Sequence, residues 1–338
     1  MKPSRSETGA CGLSAALFLL LAARPSHAQS FTDVREASST GEAAAFLLVP
    51  IGARSVGLGG AVTARRADAE GALTNPASLA GLERGTLYYH RSNDFGAVNQ
   101  VFGGVWITPA AVVGVAFQDF DFGSIQATDA RAQPLGTLDV GNQALVLTAA
   151  RTVLEPLEVG VSYKLIRLAS DCSGACAQFD FSGTAHAFDV GAVLSVPGIA
   201  GLDVGAVVRN AGTNLSAGGG PSDPLPTRLR IGAALDLLPH LSLGPELAED
   251  LDVRIMADVQ EPVSEFDDLD AAVGAQLGYR DTFYLRAGYA WQGEGRTGPA
   301  LGIGFATARF NLDLGRAFDD FASFDSDESF QLSLGVRL

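Results

Sequence analysis

The chain has 338 residues, of which 40 are glycine and 18% are charged, and its formal net charge is −15. This acidic balance argues against a nucleic-acid-binding protein, because such proteins need basic surfaces to displace counterions. The length fits one or two soluble domains or a single membrane barrel, so the order of motifs along the chain has to decide the class.

The N-terminus has the pattern of an export signal. Lys2 and Arg5 precede an apolar run over 12–23, and a small-x-small site ends at Ala28. The run is too short to cross a membrane as a helix, whereas a secretory signal peptide has this order of basic, apolar and small residues. The predicted organisation is a signal peptide over 1–28, an N-terminal plug segment with short helices over 29–83, and an outer-membrane β-barrel over 84–338.

The stretch 42–80 is apolar and punctuated by glycine. The Gly-x-Gly-Gly sequence at 57–60 allows positive φ and close backbone approach, and Asn75-Pro76 indicates the start of a helix. A phosphate-binding loop is not expected, because the Gly-Lys-Ser/Thr ending is missing. A segment this apolar suits a plug folded inside or against a barrel better than a linker.

This stretch resembles the start of the PorV/PorQ outer-membrane proteins, relatives of the FadL-type barrels. The matching positions are Phe46-Leu47, Gly52-Ala53-Arg54, Gly57-Leu58-Gly59-Gly60-Ala61, Ala67-Asp68-Ala69 and Asn75-Pro76-Ala77-Ser78-Leu79-Ala80. The resemblance implies a fourteen-stranded barrel with an N-terminal plug. For PorV it also implies type IX secretion, in which the barrel receives cargo and hands it to the surface-attachment machinery. The plug residues carried over from the family motif are Gly52, Ala53, Arg54, Gly57, Gly59, Gly60, Asn75 and Pro76.

From residue 84 onward, apolar and polar residues alternate with the period of a β-strand. The predicted strands are 84–92, 98–107, 111–121, 142–153, 157–168, 184–196, 201–210, 227–237, 251–259, 270–280, 282–291, 298–306, 309–315 and 328–338. Their number is even, and each has roughly the length that a tilted strand needs to cross the hydrocarbon layer. The predicted fold class is all-β, a transmembrane antiparallel β-barrel of about 14 strands.

The final strand alternates most regularly. Phe330, Leu332, Leu334, Val336 and Leu338 share one face, and Gln331, Ser333, Gly335 and Arg337 share the other. The closing strand of a membrane barrel must stay paired, and apolar on its lipid side, because no open edge is stable there. A soluble β-sandwich also alternates, but the charges here recur on one face and the aromatic residues cluster near strand ends, which favours an outer-membrane barrel.

Short and long connections alternate, as expected for periplasmic turns and external loops. Long connections are predicted at 122–141, 169–183 and 317–327. Cys172 and Cys176 lie in the second of these, and two cysteines at this spacing in an exported protein favour a disulfide. A metal site would need two more ligands, which the neighbouring sequence does not offer.

Two acidic tracts, 261–270 and 319–328, contain oxygen ligands of the kind that Ca²⁺ prefers. Neither has the regular spacing of a calcium loop, so solvated loops are expected. The second tract is interleaved with Phe318, Phe321 and Phe324. Apolar rings in an exposed loop favour contact with a partner.

No catalytic, cofactor or metal site is expected: His90, His186 and His240 are widely separated, and the sequence contains no nucleophile-elbow motif. Two functions remain open. One is a docking barrel for secretion proteins or cargo, and the other is a FadL-like transporter of small hydrophobic compounds gated by the plug. The charges that are predicted to pair across the lumen suit an apolar ligand poorly, so the sequence favours docking. The expected location is the outer membrane of a Gram-negative cell, with lipid as a partner and no nucleic acid.

Overall fold

The computed structural model describes residues 41–94, 96–216, 222–242, 244–263, 269–292, 297–318 and 330–338. The strands in this part of the chain are β1 (Thr86–Asp94), β2 (Ala97–Ile107), β3 (Val112–Thr128), β4 (Pro134–Leu154), β5 (Leu157–Gly174), β6 (Phe181–Ser195), β7 (Leu202–Gly212), β8 (Leu215–Ser216), β9 (Ser222–Asp223), β10 (Arg228–Asp236), β11 (Leu251–Pro262), β12 (Asp270–Tyr279), β13 (Phe283–Trp291), β14 (Gly298–Ala306), β15 (Phe310–Ala317) and β16 (Phe330–Arg337). β8 and β9 pair only with each other, and the other fourteen form one closed antiparallel barrel. The predicted barrel is confirmed, and every predicted strand overlaps an observed one.

The barrel closes between its first and last strands. Thr86 pairs with Arg337 and Tyr89 pairs with Leu334, so the ladder continues almost to the end of the chain. β7 pairs directly with β10 and bypasses the small hairpin. Because each of the fourteen strands has two neighbours, the described barrel has no open edge.

β16 shows how alternation sorts the side chains. Leu334 and Val336 on the outer face are 43% and 38% exposed, whereas Gln331 and Ser333 on the inner face are 4% and 0% exposed. Large exposed apolar residues elsewhere on the outer face include Phe102, Leu147, Val190, Ile231, Leu285 and Ile303. Buried charged residues on the inner face include Lys164, Asp189, Arg286 and Asp313. The alternation therefore produces an apolar exterior and a polar lining.

The two ends of the barrel differ. At the near end, where β1 begins and β16 ends, the connections include turns as short as Glu155–Pro156. At the far end the connection from β7 to β10 spans 213–227 and contains the β8–β9 hairpin. The predicted asymmetry of short turns and long loops holds only in part, because the near end also carries the long connection 237–250 from β10 to β11.

The predicted extents of two far-end loops are wrong. The structure continues β3 and β4 through most of 122–141, and β5 and β6 together extend through more than half of 169–183. The ladder passes a register shift after Asp121 and then resumes with Ser124 opposite Asp139. A bulge of this kind interrupts the alternation in the sequence without ending the strands.

The helices in the described part of the chain are all short. They are the 3₁₀ turns Ala45–Leu48, Ala69–Leu73, Pro76–Leu79, Ala177–Phe179 and Leu238–His240, together with α1 (Ala53–Gly57) and α2 (Pro245–Asp250). Among the residues that the structure describes, no helix has the length and apolar character needed to cross a membrane. Pro76 begins a helical turn, as the Asn-Pro pair predicts.

Candidate functional site

Residues 41–82, which we call the N-terminal segment, follow the inner wall of the barrel most of the way round. Ala53 contacts β15 and β16, Leu58 contacts β12 and β13, and Thr63 contacts β7 and β10. Pro76 then contacts β5, and Leu79 reaches β3. From Ala53 onward, the segment thus passes the strands in reverse chain order before it leads into β1.

Glycines on the inner wall make room for this path. They oppose one another as the cross-strand pairs Gly160–Gly191, Gly205–Gly232, Gly274–Gly288 and Gly302–Gly315, which we call the glycine ring. A Cβ atom at any of the eight would come within 3.1 Å of an atom of the segment. Because the segment lies against bare backbone here, a side chain would push it off the wall.

The glycines of the family motif shape the segment itself. Gly52, Gly59 and Gly60 have φ values of 99°, 64° and 90°, a region that residues with side chains rarely adopt. Gly57 has no such requirement, but its position against Gly302 leaves no space for a Cβ. The motif glycines therefore have structural roles in turning the chain and in contacting the wall.

Asn75 joins two parts of the segment to each other and to the wall. Its Oδ1 accepts a hydrogen bond from the N–H of Ala77 (3.2 Å), and its Nδ2 donates to the carbonyl groups of Thr63 (2.7 Å) and Ala192 (3.3 Å). Asn75 is fully buried. The Asn-Pro pair thus starts a helical turn and anchors it to β6.

Ala53 and Arg54 anchor the segment near the seam of the barrel. The N–H of Ala53 donates to the Oγ of Ser333 (2.9 Å), and Arg54 Nη2 lies 3.1 Å from Asp313 Oδ2. Asp313 also pairs with Arg286 at 2.7 Å. The expectation that inward charges pair across the lumen is wrong for these residues, because they pair with the segment or with a nearby strand.

Asp258 on β11 is a second anchor. Its Oδ2 accepts hydrogen bonds from the N–H of Val62 (2.9 Å) and from both the N–H (3.0 Å) and the hydroxyl (2.7 Å) of Thr63. The same oxygen lies 3.0 Å from Arg230 Nη2. A buried carboxylate with several donors binds them strongly, so this part of the segment is held firmly to the wall.

Glu70 is buried among charged groups of the segment and the wall. Burial raises the pKa of Glu70 to about 7, against the opposing effect of Arg54. Burial acts on Asp68 in the same direction, but Arg65 and Arg54 hold its pKa below the usual range. Two neighbouring carboxyl groups therefore differ in protonation near neutral pH, because Asp68 has closer cationic partners.

The far half of the lumen contains an apolar cluster, which we call the far cluster. Its buried residues are Ala97, Phe120, Ala144, Ile166, Ala185, Ala187, Leu215 and Leu225 from the barrel, and Ala44, Phe46, Leu47 and Val49 from the segment. The ring centroids of Phe46 and Phe120 are 6.0 Å apart. Here the segment is held mainly by apolar side chains rather than by contact between backbones.

Of the other predicted site residues, Cys172, Cys176 and Phe318 lie at the far end. Cys172 and Cys176 form a disulfide with Cα atoms 5.6 Å apart. Phe318 is 44% exposed, and Phe321 and Phe324 lie outside the described residues. Within the described ranges, no three His, Cys, Asp or Glu residues are grouped so that they could hold a metal ion.

The wall residues that contact the segment are not predicted from the sequence. Alternation places Ser333 on the polar face of the last strand, but no local pattern marks Ser333 or Asp258 as partners of the segment, and the glycine ring is not among the predictions. A signal for the ring was present, because all eight glycines stand inside strands on the polar face. Glycine in a strand marks close approach of another backbone.

The fold is similar to those of three solved bacterial proteins. The Pseudomonas putida toluene transporter TodX superposes with a TM-score of 0.53 at 12% identity, covering 84% of this chain and 95% of that chain. A Pseudomonas aeruginosa FadL homologue gives 0.54 at 12% identity, covering 85% and 98%. The Ralstonia pickettii toluene transporter TbuX gives 0.52 at 13% identity, covering 86% and 98%. The chain shares their fold.

Sequence comparison adds no family: no protein-family model matches the chain, and no curated protein matches it significantly. At 11–15% identity, the structural similarity concerns the fold alone. The resemblance of the N-terminal motif to PorV/PorQ receives no support from these comparisons.

Proposed function

We propose that the protein is an outer-membrane transporter of small hydrophobic compounds, and that the N-terminal segment is its gate. This choice reverses the preference for docking drawn from the sequence. The observation that carries it is the path of the segment round the glycine ring, since a gate has to occupy the route that it controls. The fold shared with the toluene transporters TodX and TbuX supports the same substrate class.

The exterior of the barrel supports the membrane location. Its outer face is apolar on strand after strand, and water would leave that surface without a favourable partner, whereas lipid chains would cover it. Leu334 lies near the middle of β16 on this face, and Leu334→Arg should cost about 2–4 kcal/mol in folding into bilayers. Folding measured by heat-modifiable migration should show the loss, and unchanged folding would contradict a lipid-facing position.

The charged residues that line the lumen do not exclude an apolar substrate, because buried carboxylates among them are paired. Asp313 and Asp258 are neutralised by arginines and by donors from the segment, so they do not present free charge to the lumen. A second group of buried apolar residues lines the wall from β1 to β4 and includes Tyr88, Val101, Val105, Ala116 and Val146. Apolar surface of this kind suits a hydrophobic compound.

Uptake into proteoliposomes tests the transport proposal. The protein should admit labelled toluene faster than empty vesicles do, and deletion of 57–60 should change the rate because the segment loses its contact with β12–β14. Replacement of 130–133, in the exposed turn between β3 and β4, by Gly-Ser-Gly-Ser serves as the control for chain alteration. Toluene entry no faster than in empty vesicles, with or without the deletion, would contradict the proposal.

The docking function rests on the forty-residue motif and on the loop that contains Phe318, Phe321 and Phe324. The motif residues have structural roles in the segment, so the motif does not require secretion. If docking were the function, removing 318–324 should release a co-purifying secretion protein while the 57–60 deletion leaves uptake unchanged.

The cleaved signal peptide over 1–28 and the plug boundary at 29–83 stay predictions, and the residues before 41 lie outside the described part of the chain.

A further inference from the structure

The N-terminal segment carries a carboxylate that is held by the wall at the far end of the lumen. Glu42 pairs with Arg228, the first residue of β10, through two parallel contacts: Nη1 to Oε1 at 2.8 Å and Nη2 to Oε2 at 2.7 Å. The two side chains are 10% and 9% exposed. Two-pronged binding by a guanidinium is the geometry with which proteins recognise carboxylates.

An apolar stretch follows this carboxylate directly. The N–H of Ala43 donates to the carbonyl of Pro224 at 2.8 Å, and Phe46, Leu47 and Val49 then fill the far cluster. Glu42–Val49 therefore presents a carboxylate, a short spacer and an aromatic ring. These are the parts of a small apolar carboxylic acid, held at each end by a matching surface of the wall.

The wall around Arg228 has more cations than carboxylates. Its inward-facing cations are Lys164, Arg209, Arg228 and Arg230, and its carboxylates are Asp189 and Asp258. Among the described contacts, Arg209 donates to the carbonyl of Leu73 (2.9 Å) and forms no ion pair, and its buried Nε has no partner. Glu42 thus supplies negative charge that the wall itself lacks, and an unpaired buried Arg228 would be costly.

The Arg228 pair also differs from the other described ion pairs between the segment and the wall. In Arg54–Asp313 and Arg66–Glu158 the segment provides the cation and the wall provides the carboxylate. At Arg228 the wall provides the cation. When the segment leaves, this site alone among the three is left as a receptor for an anion.

We propose that Glu42–Val49 is a built-in occupant of a binding site for small aromatic carboxylates. Arg228 binds the carboxylate, and the far cluster, with Phe120 against Phe46, binds the ring. An incoming compound of this class displaces Glu42–Val49 and so begins to free the gate. This inference rests on the proposed transport function, because it names one class of compound that loosens the gate.

Binding to the purified full-length barrel in detergent tests the site, with 4-phenylbutyrate as the probe and 4-phenylbutanamide as its neutral match. Glu42→Gln should tighten binding of the acid at least tenfold, because Arg228 loses its internal competitor. Arg228→Gln should abolish binding, and Arg228→Lys should weaken it because the charge stays but the fork geometry is lost. Asp250→Asn, which breaks the two-pronged Arg280–Asp250 pair at the near end, should leave the affinity unchanged.

Hydrogen exchange on the unaltered chain provides a second measurement that depends on no variant. Saturating 4-phenylbutyrate should remove protection from 42–49 and leave 53–77 protected. The amide should leave both stretches protected. Equal effects of acid and amide, or an unchanged affinity in Glu42→Gln, would overturn the inference. If toluene is taken up but none of these effects is seen, the transport proposal stands and this binding site is contradicted. If the acid displaces Glu42–Val49 but no uptake is seen, the binding site stands and the transport proposal is contradicted.

Discussion

The N-terminal segment meets the barrel in two different ways. Around the glycine ring, between 53 and 77, it lies against bare backbone and is fixed by Ser333, Asp258 and Asp313. Between 42 and 49 it meets apolar side chains and one arginine. Contacts of the first kind fit one backbone path only, whereas contacts of the second kind can be replaced by a ligand. The ring part is therefore suited to closing the lumen, and the leading part is suited to sensing a compound.

A side chain in the glycine ring should have the largest effect. Gly288→Val places a branched side chain where the backbone of Gly59 lies, and the overlap should weaken docking of the ring part by about 3 kcal/mol or more. Proteolysis of the segment in the folded barrel measures docking. Gly141→Val is the matched control, because a Cβ at Gly141 meets nothing within 4 Å. Equal protection of the segment in both variants would show that close approach to the wall is not what holds it.

The protonation of Glu70 should have the next largest effect. Its docked pKa of about 7 lies above the ordinary value of 4.5, so the docked state binds more protons between these pH values. Docking of the ring part should therefore weaken as the pH rises from about 4.5 to 7, by on the order of 2–3 kcal/mol, and change little above that range.

Exchange protection of 53–77 as a function of pH checks this expectation. Glu70→Gln, which remains neutral throughout, should flatten the profile and match the low-pH protection of the unaltered chain. The groups around Glu70 are Arg54, Asp68, Asp313, Arg65, Tyr88 and Arg286. A profile that survives the substitution would assign the dependence to another carboxyl group, Asp68 or Asp313.

The smallest effect should come from the leading part. Phe46→Leu keeps the side chain apolar but removes the ring contact with Phe120, which should cost about 1 kcal/mol. Exchange at the amides of Leu47 and Val49 should quicken while 53–77 keeps its protection. Phe102→Leu, on the outer face, is the control. Loosening of 53–77 by Phe46→Leu would mean that the two parts of the segment dock as one unit.

The sequence predicts the strands well because membrane barrels separate their two faces strictly. Phe330 to Leu338 shows this, since each side chain has either a lipid-facing or a lumen-facing position. The same alternation cannot show where a strand continues beyond a bulge, as after Asp121, because the bulge shifts the period.

The sequence predicts the site less well. Asn75-Pro76 and the motif glycines point to an unusual backbone. The wall residues Asp258 and Ser333 are about two hundred residues or more from Thr63 and Ala53, which they bind, and they look like ordinary lining positions. The Glu42–Arg228 pair cannot be predicted from the sequence either, because the two residues come together only in the fold. Such contacts depend on the path of the segment round the barrel, which local patterns do not encode.

The central claim is that compounds cross only when the ring part leaves the wall. Ala53→Cys with Ser333→Cys places two cysteines at neighbouring positions, because the Ala53 N–H donates to the Ser333 Oγ at 2.9 Å, so oxidation should tether the segment to β16. Toluene uptake into proteoliposomes should fall to that of empty vesicles when the tether is formed, and it should return when the tether is reduced. The unaltered protein, treated with the same oxidant and reductant, controls for effects on the Cys172–Cys176 disulfide. Equal uptake with the tether formed and reduced would contradict the account, because the compound would then pass without movement of the ring part.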